Sequence, residues 1–248
     1  MIYASNGAQA LARRRVVPSP GTGVEHWGTE FFGPRYAREP APGPQAVMTE
    51  MAAHEEALAH FHGVTQFQIF PAGSGKMGRS DIQALMVQFK DHHTAYGPII
   101  AGPQGLSFVS LRVKIDESVP VYVRSPDARE KLKPSKRRNI FSQPLALSTE
   151  PVLQFRREVA WEPLFEQKYD DGLDGHMLRL GAGMSVAGPD PRSAGGYYLF
   201  VANGALDRDG EIYPLWSMVV VDRDEPSFEI KAGPKGLEAV VMQFPIEA

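Results

Sequence analysis

A six-residue phrase occurs twice in this chain. Ala101-Gly102-Pro103-Gln104-Gly105-Leu106 returns as Ala232-Gly233-Pro234-Lys235-Gly236-Leu237, an offset of 131 residues. The same offset carries Gly73 onto Gly204, and Phe67-Gln68-Ile69-Phe70 onto Tyr198-Leu199-Phe200-Val201. Two separate anchors at one spacing indicate an internal duplication, two copies of one unit stacked along the sequence. The unit is β-rich, because 24 Gly and 21 Pro among 248 residues suit many short strands joined by tight turns.

What the chain lacks narrows its chemistry. It has no cysteine, so disulfides, thiolate zinc sites, Fe–S clusters and cysteine nucleophiles are excluded. A net charge of −3 argues against a nucleic-acid binder, which needs a concentrated positive surface. No apolar run approaches the roughly 18 residues of a membrane span. Arg13-Arg14-Arg15 is followed by no apolar core and makes a poor signal peptide, so a cytoplasmic location is expected by default. At 248 residues and 43 % hydrophobic content, the chain can bury a sizeable core as one large β domain or two smaller ones.

Five of the seven histidines, His54, His60, His62, His92 and His93, lie within forty residues of one another, whereas His26 and His176 stand apart. Taken as one strand, residues 59–70 alternate so that His60, His62, Val64, Gln66, Gln68 and Phe70 share a face. His-x-His on a strand places two imidazoles about 7 Å apart at the backbone, close enough to grip one transition-metal ion. A third ligand is available from His92 or His93 and a fourth from Gln66 or Gln68. The 131-residue offset carries His60, His62, Gln66 and His93 onto Pro191, Ser193, Tyr197 and Asp224, so only the first copy keeps this character.

These residues resemble the first motif of the cupin superfamily: His-x-His, then an acidic residue, then a closing glycine. Here the positions carry His60-Phe61-His62, Gln66 where Glu is usual, and Gly73. The second cupin motif ends a Pro-x-Gly turn with a ligand histidine. The corresponding segment, Asp91 to Pro98, lacks that turn, has Tyr96 near the histidine position, and offers His93 as substitute with His92 behind it. The run from His93 to Ile99 followed by Ala101-Gly102-Pro103 looks like a bacterial two-cupin subgroup. The resemblance covers roughly residues 50–115 and 150–245. It implies an all-β duplicated double-stranded β-helix, a bicupin of two jelly-roll barrels, with one divalent transition metal (Fe, Ni, Mn, Cu or Zn) held by His60, His62, Gln66 and His93. It also implies Tyr96 as a proton donor and Gln68 as an orienting group.

The expected organisation is an N-terminal arm (1–45), an N-terminal cupin with the metal site (46–115), a linker (116–150) and a C-terminal cupin without ligands (151–248). Proline and glycine break the arm at Pro18-Ser19-Pro20-Gly21 and Pro40-Ala41-Pro42-Gly43-Pro44, yet its aromatics, Trp27, Phe31, Phe32 and Tyr36, require packing on the barrel or on a second subunit. The basic run Arg129 to Arg138 reads as a solvated linker, and Gly73-Ser74-Gly75-Lys76 as a hairpin turn, since a phosphate loop would need the Gly-x4 spacing it lacks. The function expected by analogy is dioxygenase-type oxidation of a small molecule at one mononuclear centre. The alternatives are a metal-dependent lyase or isomerase, and a non-catalytic small-molecule-binding protein, with a homodimer as the expected assembly.

Overall fold

The computed structural model describes residues 1–19, 21–37, 42–117 and 120–247. They form two compact units, one of residues 13–144 and the other of residues 1–12 with 145–248.

The first of these is built on a nine-stranded antiparallel sheet. Its strands run in the order Asn139–Phe141, Val87–Lys90, Gln66–Met77, Ile99–Arg112, Gln45–Met51, Glu25–Phe32 and Arg15–Pro18, with Glu56–Ala57 on Ile99–Arg112 and Ser80–Gln83 on Gln66–Met77. His60–Phe61 and Val121–Tyr122 form a separate two-stranded pair. Alternation gives each long strand two working faces. Phe67, Ile69, Phe89, Val109 and Leu111 fill one of them with apolar bulk, while Gln66, Gln68, Gln88, Lys90, Ser110 and Arg112 are buried on the other.

The second unit repeats this plan with other side chains. Its eight-stranded sheet runs Ile2–Ser5, Met218–Val221, Tyr197–Arg208, Glu229–Gln243, Asp174–Leu180 and Ala160–Pro163, with Ser185–Ala187 and Glu211–Tyr213 paired alongside. The short helix Gly7–Leu11 is capped by Asn6, whose side chain accepts from the backbone N–H of Ala8 at 3.1 Å and Gln9 at 3.3 Å. Leu178, Tyr197, Leu199, Val219, Val221 and Val241 pack in one buried cluster, and a separate buried ion pair joins Arg179 to Glu238.

The duplication is visible strand for strand. Gln66–Met77 and Tyr197–Arg208 have the same length and sit 131 residues apart, as do Val87–Lys90 and Met218–Val221. Gly73 pairs with Leu106 and Gly204 with Leu237, each beside a register shift, at φ of 82° and 68°. A Cβ on either glycine would run into a backbone carbonyl, that of Gly105 or of Gly236. The repeated glycines are thus explained by a repeated bulge.

The boundaries differ from those expected. Residues 1–45 are not one arm: the first twelve belong with the C-terminal unit through Ile2–Ser5, and Arg15–Pro18 and Glu25–Phe32 extend the other sheet. Pro20, Pro40 and Ala41 lie outside the described residues. Residues 116–150 are not simply linker, since Asn139–Phe141 pairs with Val87–Lys90. Gly73-Ser74-Gly75-Lys76 lies within one continuous strand, not at a hairpin tip. Residues 59–70 form two strands because the chain turns between Phe61 and Gln66.

Candidate active site

The side chains His60, His62, Tyr96, Arg112, Asp116 and Tyr122 converge on a cavity of about 90 Å³ in the unit of residues 13–144. Pairing of His60–Phe61 with Val121–Tyr122, and an isolated bridge from His60 to Tyr96, hold this wall. The two imidazole centroids are 5.2 Å apart with rings nearly perpendicular.

Each ring is fixed through Nδ1. In His60 it lies 2.6 Å from the carbonyl of Leu58, and in His62 it lies 2.5 Å from Oδ2 of Asp116. A carbonyl or carboxylate oxygen only accepts, so Nδ1 carries the hydrogen and, in the neutral ring, Nε2 carries the lone pair. Burial lowers the pKa of His60 to about 4, against the pull of Leu58, with Lys90 and Arg112 lowering it further. Burial and then Arg112 hold His62 well below the usual imidazole range, despite Asp116. Both rings are therefore neutral at pH 7.

Beneath the imidazoles the barrel is filled with hydrogen-bonded polar groups. Strand register places Gln45 beside Arg112, Gln68 beside Ser110 and Gln88, and Gln66 beside Lys90. Arg112 donates from Nε at 2.9 Å and from a terminal nitrogen at 2.7 Å to Oε1 of Gln66. It also donates to Oε1 of Gln45 at 2.5 Å and approaches Asp116 at 4.0 Å. Lys90 donates to Oε1 of Gln68 at 3.0 Å and lies over the ring of Tyr96. Burial, then Arg112, holds the Lys90 amine well below its ordinary pKa.

Of the residues expected from sequence, His60, His62 and Tyr96 meet at the cavity. Gln66 is buried beneath them with its carbonyl oxygen taken by Arg112, and its amide donates to the Tyr96 hydroxyl at 3.5 Å. Gln68 is engaged with Ser110 and Lys90. His93 does not line the cavity: its backbone N–H donates to the carbonyl of His62 at 2.7 Å, and its ring lies against Phe61 and His92. The four-donor set for a metal is thus not brought together, and among the described residues no three His, Asp or Glu side chains are grouped to hold one. The residues present do not fit the 3-His/1-Gln centre.

Three residues went unremarked in the sequence, Asp116, Arg112 and Lys90, and a fourth, His26, was set apart from the histidine cluster. His26 also lines the cavity, is 9 % exposed, and has neither ring nitrogen hydrogen-bonded. The Glu55 carboxylate is 3.6 Å away, while burial and then Arg35 bring its pKa down to about 4. Nothing local in the sequence marks it, since what brings it to the cavity is the pairing of Glu25–Phe32 with Gln45–Met51.

No family model matches the sequence, and no curated protein matches it. Solved structures do. A bacterial pirin, YhhW from Escherichia coli in complex with nickel(II), aligns over 99 % of both chains at 10 % identity and a TM-score of 0.56. Oxalate decarboxylase from Bacillus subtilis, described with Mn(II) centres, aligns over all of this chain and 78 % of its own, at 11 % identity and 0.54. Quercetin 2,3-dioxygenase from Acinetobacter baumannii aligns over all of this chain and 79 % of its own, at 12 % identity and 0.52. At such identities the likeness establishes the fold: duplicated cupin jelly rolls.

Proposed function

We propose that this bicupin-fold chain is an enzyme acting on a small organic acid, enol or phenol in its N-terminal cupin cavity. The observation that carries the reading is the pair of buried imidazoles, each tied through Nδ1 to an oxygen acceptor, beside a buried guanidinium. An Nε2 lone pair accepts the acidic proton of a bound ligand. The resulting imidazolium on His62 is stabilised by the carboxylate of Asp116, and the charge left on the ligand is stabilised by Arg112. Reversing the transfer returns the proton, at the same atom or at a neighbouring one, which is isomerase or lyase chemistry. His60 and the Tyr96 hydroxyl orient the ligand.

The test is solvent deuterium exchange at the central carbon of acetylacetone, followed by proton NMR. Exchange accelerated by the wild-type protein and slowed at least ~100-fold in His62→Gln supports the reading. Equal acceleration by both proteins, or none by either, counts against it.

A second reading retains a divalent ion and dioxygenase-type oxidation. It is favoured by the same Nδ1 tethers, because metal-bound histidines ordinarily donate their other N–H to a carbonyl or carboxylate. The nickel(II) held by the Escherichia coli pirin and the Mn(II) centres of the Bacillus subtilis oxalate decarboxylase point the same way. Here His60 and His62 would be two of the donors. One equivalent of metal in the freshly purified protein, lost in His60→Ala/His62→Ala, would favour this reading over the first.

A further inference from the structure

The two barrels share a backbone plan but not a filling. Position for position, Gln66, Gln68, Gln88, Lys90, Ser110 and Arg112 in one correspond to Tyr197, Leu199, Val219, Val221, Val241 and Gln243 in the other. The second set, uncharged throughout and apolar but for Gln243 and the Tyr197 hydroxyl, shows that the fold needs no charge at these positions for a stable interior. The polar set includes an arginine 4 % exposed and a lysine 2 % exposed, charge that the sister unit does without at the matching positions. Desolvating such groups is unfavourable unless they are fully hydrogen-bonded, and replacing them by apolar residues is often neutral or stabilising. Their presence under the two imidazoles therefore calls for a role there.

The position of Arg112 indicates which. The notional fourth ligand, Oε1 of Gln66, accepts two hydrogen bonds from the guanidinium, at 2.9 and 2.7 Å, and so both its lone pairs are used. Gln45 and Asp116 hold the opposite edge of the guanidinium. A guanidinium is a permanent cation, so it brings fixed positive charge to the floor of the cavity without an ion.

We propose that Arg112 takes the place of a divalent metal in this barrel, as the fixed cation behind His60 and His62, and that the ligand it serves is a small organic anion. This rests on the first functional reading and adds the source of the charge. Lys90 holds Gln68, and its ammonium or amine seats against the face of Tyr96, which lines the cavity. The sister barrel supplies natural replacements for both: Gln243 for Arg112 and Val221 for Lys90.

The experiment is calorimetric titration of Ni²⁺ and of Mn²⁺ into the chelator-stripped full chain. The proteins compared are wild type, Arg112→Lys, Arg112→Gln, Arg112→Gln with Lys90→Val, and Arg112→Gln with His62→Ala. The expected result is that wild type and Arg112→Lys bind neither ion more tightly than about 100 µM. Arg112→Gln, with or without Lys90→Val, gains at least about tenfold in affinity for one of them by releasing Gln66, and His62→Ala removes the gain. Stoichiometric micromolar binding by wild type, abolished in His60→Ala/His62→Ala, overturns the proposal; this arm stands even where Arg112→Gln does not fold. A folded Arg112→Gln that gains nothing also overturns it, since the guanidinium would not then be what displaces the ion. Malonate titrated into wild type and His62→Gln tests the underlying reading separately. Malonate binding that depends on His62 leaves the anion site standing whatever the metal arms show.

Discussion

Acid should destabilise the unit of residues 13–144 well above the pH at which its carboxylates titrate, and the size of the effect follows from two histidines. In the unfolded chain His26 and His60 titrate near 6.5, but in the folded protein burial lowers both to about 4. The unfolded state therefore binds more protons between these values, and stability falls as pH falls through that window. For one such group the loss between about pH 7 and about pH 5 is roughly 1.8 kcal/mol, and for the pair roughly 3.5 kcal/mol. His62, held low for the same reasons, adds to this in the same direction. Urea unfolding at the two pH values, read through Trp27 in a Trp161→Phe/Trp216→Phe background, measures the loss in this unit alone. His60→Gln keeps a polar group at the site but cannot titrate, so it should reduce the pH-dependent loss by about half of the pair's value. An unchanged pH dependence in His60→Gln, or greater stability at the lower pH, would refute the burial argument.

Asp116→Asn removes the carboxylate that fixes His62, and proton transfer in the cavity should fall by about 10- to 100-fold while ¹⁵N NMR shows the Nδ1–H tautomer of His62 losing its dominance. Gly73→Ala and Gly204→Ala place a Cβ against a facing carbonyl at positive φ, and each should lower stability by ~1–3 kcal/mol in its own unit, measured by chemical denaturation. Val221→Lys introduces into the C-terminal barrel the lysine found at position 90, without the glutamines that receive it. It should destabilise that unit by at least ~3 kcal/mol, and a neutral result would show that Lys90 needs no such partners.

The spacing between repeats determined a good deal by itself. Offsets of 131 in Gly73/Gly204 and in the Ala-Gly-Pro phrase identify a duplicated β unit, because each marks a place where the backbone allows no side chain or turns in one way only. His60 and His62 have no counterparts in the second copy, where Pro191–Ser193 forms a turn of 3-10 helix and Leu199, Val219, Val221 and Val241 pack in an apolar cluster. Alternation also put Gln66 and Gln68 on one face, and that is a local property of any strand.

Alternation cannot tell a solvent face from the inside of a barrel. Val87-Gln88-Phe89-Lys90 and Val109-Ser110-Leu111-Arg112 have the pattern of half-exposed strands, but closure of the sheet turns their polar sides inward. Only that closure brings Arg112 onto Gln66 from 46 residues away and Asp116 onto His62 from 54. Likewise His93 is near His62 in space, yet its ring packs against Phe61 and His92 and does not line the cavity. Which residues belong to the fold is written in local periodicity. Which of them meet around a ligand depends on strand register and barrel closure, and these are long-range contacts that no short stretch of sequence contains.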